Sequence, residues 1–284
     1  MANVRTRLGD TELVSLDAGS FPYDGGAMFG GVPKVIWGNL TPVDEFNRIV
    51  LTLSPLLIRK GSRNIVVDVG YGSRHTEKDL KIWGFDPEVT VVTALKDEGL
   101  EPTDIDTVVL THLHADHAAG ATSESADGLV PTFPSARYIV SGTEWEAANH
   151  PDARSAAAYR PDDFLPLERA GVLELVGDEH DVGDGVTVAR TGGHTAGHMA
   201  VYVDDTAGKV VYPADLIPPR HHVRVPYIAG IDLFPLEVIE SKKRMLEDAV
   251  AEDWLVILDH DAAGNIGRII RDDRGRFAFE DAGS

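Results

Sequence analysis

Short apolar runs alternate with turn residues in the first part of the chain. Val, Ile and Leu are concentrated in residues 12–18, 49–59 and 64–69, and a Lys-Gly-Ser-Arg turn at 60–63 separates the last two runs. Apolar runs of this length between turn residues are typical of β-strands. The pattern therefore predicts three strands that form an antiparallel meander.

Strand and helix patterns alternate in the rest of the chain. Apolar runs predict further strands at residues 105–110, 136–141, 172–176, 186–190, 199–203, 209–212 and 254–258. Capping residues and helical spacing predict helices over 87–98, 143–148 and 235–250, the last with one apolar face made by Leu236, Ile239, Leu246 and Val250. We expect 153–168 to be a connection and 265–280 to form one more short helix or strand.

A long segment at residues 19–47 lacks either pattern and is rich in Gly, Pro and aromatic residues. Irregular segments of this length inside a compact domain are usually functional or mobile. Our hypothesis is that Met28, Phe29 and Trp37 form an apolar wall beside the active site and contact the substrate. The alternative is that these side chains only pin the segment to the core, which is the usual role of buried aromatic residues.

Composition narrows the functional classes. The chain has 284 residues, 43% of them hydrophobic, and no linker-like stretch divides it, so we expect a single domain over residues 1–284. Its formal charge of -20 argues against nucleic acid as a partner and disfavours polyanionic substrates. The polar start and the lack of an apolar stretch of membrane-spanning length predict a cytoplasmic protein without a membrane partner. Because there are no cysteines, any metal must be bound by nitrogen and oxygen.

The densest chemistry lies at residues 111–117, directly after the predicted strand 105–110. This segment, Thr-His-Leu-His-Ala-Asp-His, contains four potential metal ligands, which are His112, His114, Asp116 and His117. Side chains two residues apart on an extended strand point to the same side, and a turn just beyond can direct the last two toward a neighbouring point. The segment therefore predicts the beginning of two adjacent metal sites.

Three other predicted strand ends carry single coordinating side chains. His194 lies among glycines, which allow the backbone to turn sharply, and Asp215 and His260 each follow an apolar run. Asp68 ends another apolar run, where it either orients a ligand histidine from behind or caps the following turn. We expect His198 to hydrogen-bond locally at the start of a strand.

The order of these residues, His-x-His-x-Asp-His followed by a glycine-flanked His, an Asp and a His, resembles the metallo-β-lactamase superfamily of hydrolases. The resemblance extends from the strand end at Asp68 to His260. It implies a four-layer αβ/βα sandwich of two mixed sheets flanked by helices, with the site at one edge of the sheets. It also implies one metal held by His112, His114 and His194, a second held by Asp116, His117 and His260, and Asp215 as the bridge.

The resemblance further implies a dinuclear mechanism. Zinc is the expected metal for nitrogen and oxygen ligands, although iron, manganese or cobalt would fit the same groups. Two divalent ions make water nucleophilic at neutral pH and polarise the oxygen of the substrate. We expect Asp215 to compensate charge and to pass a proton to the leaving group, and Asp116 to orient the nucleophile as well as bind metal.

Several features of the sequence bear on the substrate. The absence of a cysteine ligand separates the chain from the true class B β-lactamases and favours the lactonase, thioesterase and phosphoesterase branches. Residues 225–232 are similar to a segment of the N-acyl-homoserine lactonases, but the position at which those enzymes carry a substrate-contacting tyrosine is Pro218 here. Tyr227 or His222 could supply that contact, and a surface-loop role is the alternative for both.

We therefore predict hydrolysis of a small carboxylic ester or lactone, with N-acyl-homoserine lactones among the candidates. The enzymatic alternatives are hydrolysis of small phosphotriesters or phosphodiesters and a glyoxalase II-like thioesterase, for which the chain lacks a basic helical extension. A di-iron redox module is the non-hydrolytic alternative. The expected partner is a small-molecule substrate, and the sequence leaves a homodimer open.

Overall fold

The structure, a computed structural model, describes residues 2–126 and 128–282. In chain order, its strands are β1 (Val4–Leu8), β2 (Thr11–Ser15), β3 (Ser20–Asp24), β4 (Arg48–Thr52), β5 (Leu56–Lys60), β6 (Arg63–Val67), β7 (Thr107–Val109), β8 (Thr122–Ser125), β9 (Gly128–Pro131), β10 (Arg137–Ser141), β11 (Leu173–Val176), β12 (Glu179–Gly183), β13 (Val186–Arg190), β14 (Met199–Asp205), β15 (Gly208–Tyr212), β16 (Leu255–Ile257), β17 (Ile266–Arg271) and β18 (Phe277–Asp281). Its helices are α1 (Gly25–Phe29), α2 (Lys34–Trp37), α3 (Glu77–Trp83), α4 (Val91–Asp97), α5 (Ala115–Ala118), α6 (Gly142–Asn149), α7 (Pro161–Arg169) and α8 (Pro235–Ala251).

The centre of the fold consists of two seven-stranded sheets, with strand orders β1-β2-β5-β6-β7-β10-β11 and β12-β13-β14-β15-β16-β17-β18. The predicted meander is the antiparallel half of the first sheet, and β6, β7, β10 and β11 continue that sheet in parallel. In the second sheet β15 and β16 are parallel. Parallel neighbours need long crossovers, which α3 and α4 provide between β6 and β7, and α8 provides between β15 and β16.

The two sheets pack face to face between layers of helices. One buried apolar cluster joins their inner faces, through side chains such as Ile58 of the first sheet and Val188 and Ile257 of the second. The outer face of the first sheet packs against α1, α4 and α7, and the outer face of the second packs against α8. This is the predicted αβ/βα sandwich of two mixed sheets flanked by helices, so the fold prediction is confirmed.

The helical pattern at 235–250 is confirmed as α8, but its buried face differs in part from the prediction. Val238, Met245 and Leu246 pack on the second sheet, whereas Leu236 is 76% exposed. Leu236 lies in the first turn of α8, and Val238 is the first residue of that helix to be buried. The apolar spacing was therefore informative along the helix but not at its first turn.

The predicted strand 49–59 is in fact two strands that belong to different sheets. β4 pairs with β3, whereas β5 pairs with β2 in the first large sheet. The break contains Pro55, which has no N–H with which to continue a ladder. The Ser54 N–H donates instead to Asp259 Oδ1 at 2.6 Å. The break thus connects the sheets to the loop after β16.

Several predicted loops contain regular elements. The segment 19–47, which we predicted to be irregular, includes β3, α1 and α2, and 153–168 includes α7. The predicted helix 87–98 begins only after its N-cap, Thr90, and α3 was not predicted although Thr76 forms a capping box with Asp79. The tail forms the two strands β17 and β18 rather than a single element. None of the side chains of α3 is buried, which explains why apolar spacing missed this helix.

Candidate metal centre and cavity

Four segments bring their coordinating side chains to one edge of the two sheets. The segment after β7 places His112 and His114 just before α5, a single helical turn that contains Asp116 and His117. The loops after β13, β15 and β16 contribute His194, Asp215 and His260. Ligand atoms lie within 4.8 Å of one another in each of two groups, His112, His114, His194 and Asp215, and Asp116, His117 and His260. All seven predicted ligands are therefore close together.

The Asp215 carboxylate lies between the two groups. Its Oδ2 is 3.0 Å from His194 Nε2, whereas its Oδ1 is 3.0 Å from His260 Nε2 and 3.5 Å from His117 Nε2. The Asp215 N–H donates to His198 Nε2 at 3.1 Å, and Thr191 Oγ1 is 2.6 Å from the other ring nitrogen. His198 thus makes the local contact that we predicted and also holds the backbone of Asp215 in place. This geometry allows one oxygen to serve each group.

The ring nitrogens face one another at short distances. His194 Nε2 is 3.0 Å from His114 Nδ1, and His260 Nε2 is 3.3 Å from His117 Nε2. His112 Nε2 is buried and has no hydrogen-bond partner among the described residues. Nitrogen lone pairs that converge in this way, with carboxylates beside them and no sulfur, match the ligand preferences of divalent zinc and similar ions. The donor set therefore fits two divalent cations.

Charge in the cluster is divided unevenly. Burial, together with neighbouring imidazoles, lowers the pKa of His112 and of His114 well below the ordinary value. Burial also opposes protonation of His117, but Asp116 and Asp215 outweigh it and raise the pKa of His117 well above 6.5. Burial would raise the pKa of Asp215, yet the surrounding imidazoles lower it well below 3.8. Asp215 is therefore ionised and can compensate positive charge in both groups.

Three of the imidazoles are fixed through their second nitrogen. The Nδ1–H of His117 donates to Asp68 Oδ2 at 2.9 Å, and the Nδ1–H of His194 donates to Asp232 Oδ1 at 2.8 Å. His260 Nδ1 is 2.6 Å from the carbonyl oxygen of Thr52. Such outer contacts orient a ring and select its tautomer. Of the two roles considered for Asp68, the structure shows the contact behind a histidine, while Asp232 and Thr52 were not predicted.

A buried carboxylate, Glu144, connects two of the ligand segments. Its Oε1 accepts from the Leu113 N–H at 3.0 Å and from the Tyr159 hydroxyl at 3.0 Å. Its Oε2 accepts from the Thr195 hydroxyl at 2.6 Å and from the Gly197 N–H at 3.2 Å. Burial raises the pKa of Glu144, although all four donors oppose the shift. Since Leu113 and Thr195 adjoin ligand histidines, this residue ties the segment after β7 to the loop after β13.

A cavity of about 470 Å³ opens onto the cluster. Four of the candidate ligands lie in its wall, namely His114, Asp116, Asp215 and His260, and the side chain of Asp116 is 21% exposed. Two guanidinium groups, those of Arg154 and Arg160, also lie in the wall. The rest is mainly apolar, from Phe21, Tyr23, Met28, Leu51, Tyr71, Trp83, Ile231 and Leu233. An apolar cleft with a few convergent polar groups is typical of a site for a small molecule.

Of the five side chains that we predicted to contact substrate, Met28 lines this cavity. The prediction needs correction for the other four, because they pack behind the wall. Phe29 and Trp37 are fully buried and stack on each other with ring centroids 5.1 Å apart. His222 is buried and donates to the Met28 carbonyl at 2.9 Å, and the Tyr227 hydroxyl accepts from Arg224 at 3.3 Å. The segment 19–47 thus both lines the cavity and packs on the core.

The loop that carries Tyr71 packs closely against the loop that follows His117. The Gly120 N–H donates to the Gly70 carbonyl at 2.9 Å, and a Cβ added at Gly120 would lie 2.1 Å from the Val69 carbonyl oxygen. Gly72 has a φ of 65°, which side chains rarely tolerate. Only glycine permits this approach of two backbones. The contact fixes Tyr71 beside the ligand segment, and no spacing in the sequence indicates it.

Most of the chain is similar in sequence to known proteins. Residues 54–260 match the model of the metallo-beta-lactamase superfamily. The N-acyl homoserine lactonase AiiA of Bacillus thuringiensis subsp. kurstaki is 30% identical over 177 residues, which are 61% of this chain and 63% of that protein. The N-acyl homoserine lactonase AttM of Agrobacterium fabrum is 29% identical over 181 residues, which are 62% of this chain and 65% of AttM. The chain therefore matches less than two thirds of the length of these relatives.

Solved structures match over the full chain. A probable metal-dependent hydrolase from Staphylococcus aureus has a TM-score of 0.89 and 28% identity, and the match covers 98% of this chain and 100% of that one. AidC, a dizinc quorum-quenching lactonase solved with an N-hexanoyl-L-homoserine product, has a TM-score of 0.81 at 18% identity, with 100% and 98% covered, and supports the fold alone. In the described part of the chain, no helix has the length and apolar character needed to cross a membrane. With the family match over residues 54–260, the chain belongs to the metallo-beta-lactamase superfamily.

Proposed function

We propose that the protein is a metal-dependent hydrolase of small carboxylic esters or lactones, with N-acyl homoserine lactones as the leading substrate class. The observation that carries the proposal is the position of Asp215, whose two oxygens face two separate ligand groups beside a largely apolar cavity of about 470 Å³. A dinuclear site beneath an apolar cleft suits a neutral substrate that has both an acyl chain and a carbonyl carbon to be attacked.

The proposal assigns seven metal ligands in two sets and a bridge. One set is His112, His114 and His194, the other is Asp116, His117 and His260, and Asp215 is shared. Zinc is the metal we expect, since the donors are nitrogen and oxygen. When bound, two divalent ions supply a nucleophilic water of low pKa and polarise the carbonyl oxygen of the substrate.

The protein's own side chains then perform distinct tasks. Asp116 is partly exposed to the cavity and is proposed to orient the nucleophile, because its carboxylate is within 3.8 Å of both His117 Nε2 and His260 Nε2. Asp215 is proposed to compensate charge and to carry a proton toward the leaving group, since its carboxylate is ionised and borders the cavity. Met28 and the neighbouring aromatic residues would bind the acyl group and exclude water from it.

The names of the relatives support a lactone as substrate, because AiiA and AttM are both N-acyl homoserine lactonases. The activity is proposed for this chain, since the match covers about 63% of AiiA. A single domain over residues 1–284 is part of the same proposal, and the apolar cluster shared by both large sheets supports it. A cytoplasmic location also belongs to this proposal.

A substrate panel tests the function directly. Purified protein loaded with zinc would be assayed against N-acyl homoserine lactones, aryl esters, phosphotriesters and S-lactoylglutathione, and its metal content would be measured by mass spectrometry. We expect two metal ions per chain and preferential lactone turnover that a chelator removes and added zinc restores. Turnover confined to phosphotriesters or to the thioester, or iron with oxygen consumption, would contradict the proposal. The variant His150→Ala is a matched control, because this histidine is an exposed surface residue.

A further inference from the structure

Two tyrosine hydroxyls in the cavity wall lack a protein partner. Tyr23 and Tyr71 both line the cavity, and within residues 2–126 and 128–282 neither hydroxyl makes a hydrogen bond to the protein. By contrast, the Tyr138 hydroxyl accepts from Phe133 N–H at 2.9 Å, and the Tyr159 hydroxyl donates to Glu144. Tyr71 is only 7% exposed as a residue, but neither hydroxyl oxygen is fully buried, so both remain accessible from the cavity. A ligand that enters the cavity can therefore accept a hydrogen bond from each of them.

The two phenols are held beside the metal centre by packing. The edge or face of the Phe21 ring meets Tyr23, Tyr71 and His260, with centroid distances of 6.0, 5.6 and 6.1 Å. Trp83 stacks on both tyrosines, at 6.1 and 6.4 Å. Phe21 thus contacts both phenol rings and the imidazole of His260, and all four side chains line the same cavity. A molecule bound at the metal centre therefore lies close to both phenols.

Charge keeps both phenols in the donor form. Burial raises the pKa of Tyr23 and of Tyr71 above the ordinary value, and the negative charge of Asp116 raises both further. Arg160, whose guanidinium lies 5.9 Å from the Tyr71 ring centroid, opposes the shift only in part. Both hydroxyls therefore keep their protons at neutral pH and offer O–H groups to an acceptor.

We propose that Tyr23 and Tyr71 form a pair of hydrogen-bond donors that binds an uncharged carbonyl oxygen of the substrate, as in an amide or an ester, next to the metal centre. This inference deepens the proposed function and rests on it for the identity of the substrate. It names the acceptor that the two hydroxyls suit, which is a carbonyl oxygen of the substrate. An aliphatic chain on that carbonyl would then lie along the apolar wall.

Binding of a lactam tests the inference without turnover. The probe is the N-hexanoyl derivative of 3-amino-2-pyrrolidinone, in which the ring ester is replaced by an amide that resists hydrolysis, titrated into the zinc-loaded enzyme by calorimetry. We expect Tyr71→Phe to raise Kd about tenfold and Tyr23→Phe to raise it several-fold, since each loses one hydrogen bond of ordinary strength. The metal content of both variants should equal that of the wild type.

Tyr202→Phe is the matched control, because this tyrosine lies on β14 and packs against Trp254 rather than at the cavity. It should bind the lactam as the wild type does. The inference is overturned if Tyr23→Phe and Tyr71→Phe both bind with unchanged Kd, if their weaker binding follows from lost metal, or if the wild type does not bind the lactam. Failure of the proposed function is a separate result, in which the lactam binds and responds to these variants but no ester or lactone is hydrolysed.

Discussion

The metal cluster and the cavity wall lie side by side but differ in whether their polar groups have hydrogen-bond partners within the protein. In the cluster, His117, His194 and His260 each have their second ring nitrogen engaged by a buried protein oxygen. In the wall, the hydroxyls of Tyr23 and Tyr71 have no such partner among the described residues. The fold therefore sets the geometry of the ligands, whereas the hydroxyls of the wall are available to a bound molecule. Changes to the first should affect metal retention, and changes to the second should affect ligand selection.

The largest expected effect comes from removing a ligand. His112→Ala deletes a buried nitrogen, Nε2, that has no hydrogen-bond partner among the described residues. Substitution of a residue that hydrogen-bonds to a metal ligand typically weakens metal binding by about 10- to 100-fold. Loss of the ligand itself should therefore weaken metal binding further. We expect turnover of every substrate to disappear and less than two metal ions per chain to be retained, measured by mass spectrometry and the substrate panel. A His112→Ala protein with full metal content and activity would contradict the ligand assignment.

The next effect concerns the connection between ligand segments. Glu144→Ala leaves four buried donors without an acceptor, including the Leu113 N–H and the Thr195 hydroxyl. We expect the free energy of unfolding to fall by about 2–4 kcal/mol, with weaker metal binding. Glu144→Gln keeps the shape and one acceptor oxygen, and should lose less of both. Urea unfolding of the metal-free proteins and zinc titration measure the two quantities, and equal values for all three proteins would refute a connecting role.

A third prediction concerns the support of the wall. Lys242 on α8 is fully buried and donates to the Tyr227 carbonyl, and burial lowers its pKa to about 7 against the opposing charge of Asp232. Between pH 7 and the ordinary lysine value, the unfolded chain binds a proton that the folded chain does not, so stability rises with pH in this window. The unfolding free energy of the wild type should therefore rise relative to that of Lys242→Met from pH 7 to pH 10, by on the order of a few kcal/mol. Parallel pH profiles of the two proteins would contradict the prediction.

The smallest effect is expected at Tyr227, which has a hydroxyl outside the cavity. This hydroxyl accepts from Arg224 at 3.3 Å, in the loop behind the wall. Tyr227→Phe should change turnover of each panel substrate by less than about twofold and stability by less than about 1 kcal/mol, since a long, partly buried hydrogen bond contributes little. Loss of activity toward every substrate in this variant would show that the loop takes part in catalysis. Comparison of Tyr227→Phe with Tyr71→Phe therefore distinguishes a hydroxyl outside the cavity from one that lines it.

Much of the fold followed from short-range pattern. The apolar runs located most strands of both large sheets, and the spacing at 235–250 located α8. The resemblance to the metallo-β-lactamase superfamily, drawn from residues such as His112 and His260, is confirmed by the family match. The pattern failed at α3, which buries none of its side chains, and at α7, which contains Pro166 in its interior. It also failed at Pro55, where the chain passes between sheets without losing its apolar character.

The side chains that can bind metal are evident from the amino-acid order alone, because His112, His114, Asp116 and His117 are crowded into one short segment at a strand end. The residues that contact these side chains depend instead on how the chain folds. The contact from His117 to Asp68 spans 49 residues, and that from His260 to the Thr52 carbonyl spans 208. Likewise, Tyr71 reaches the cavity only because glycines let two distant loops pack backbone to backbone. Local spacing carries no information about such contacts, since they depend on how whole sheets pack.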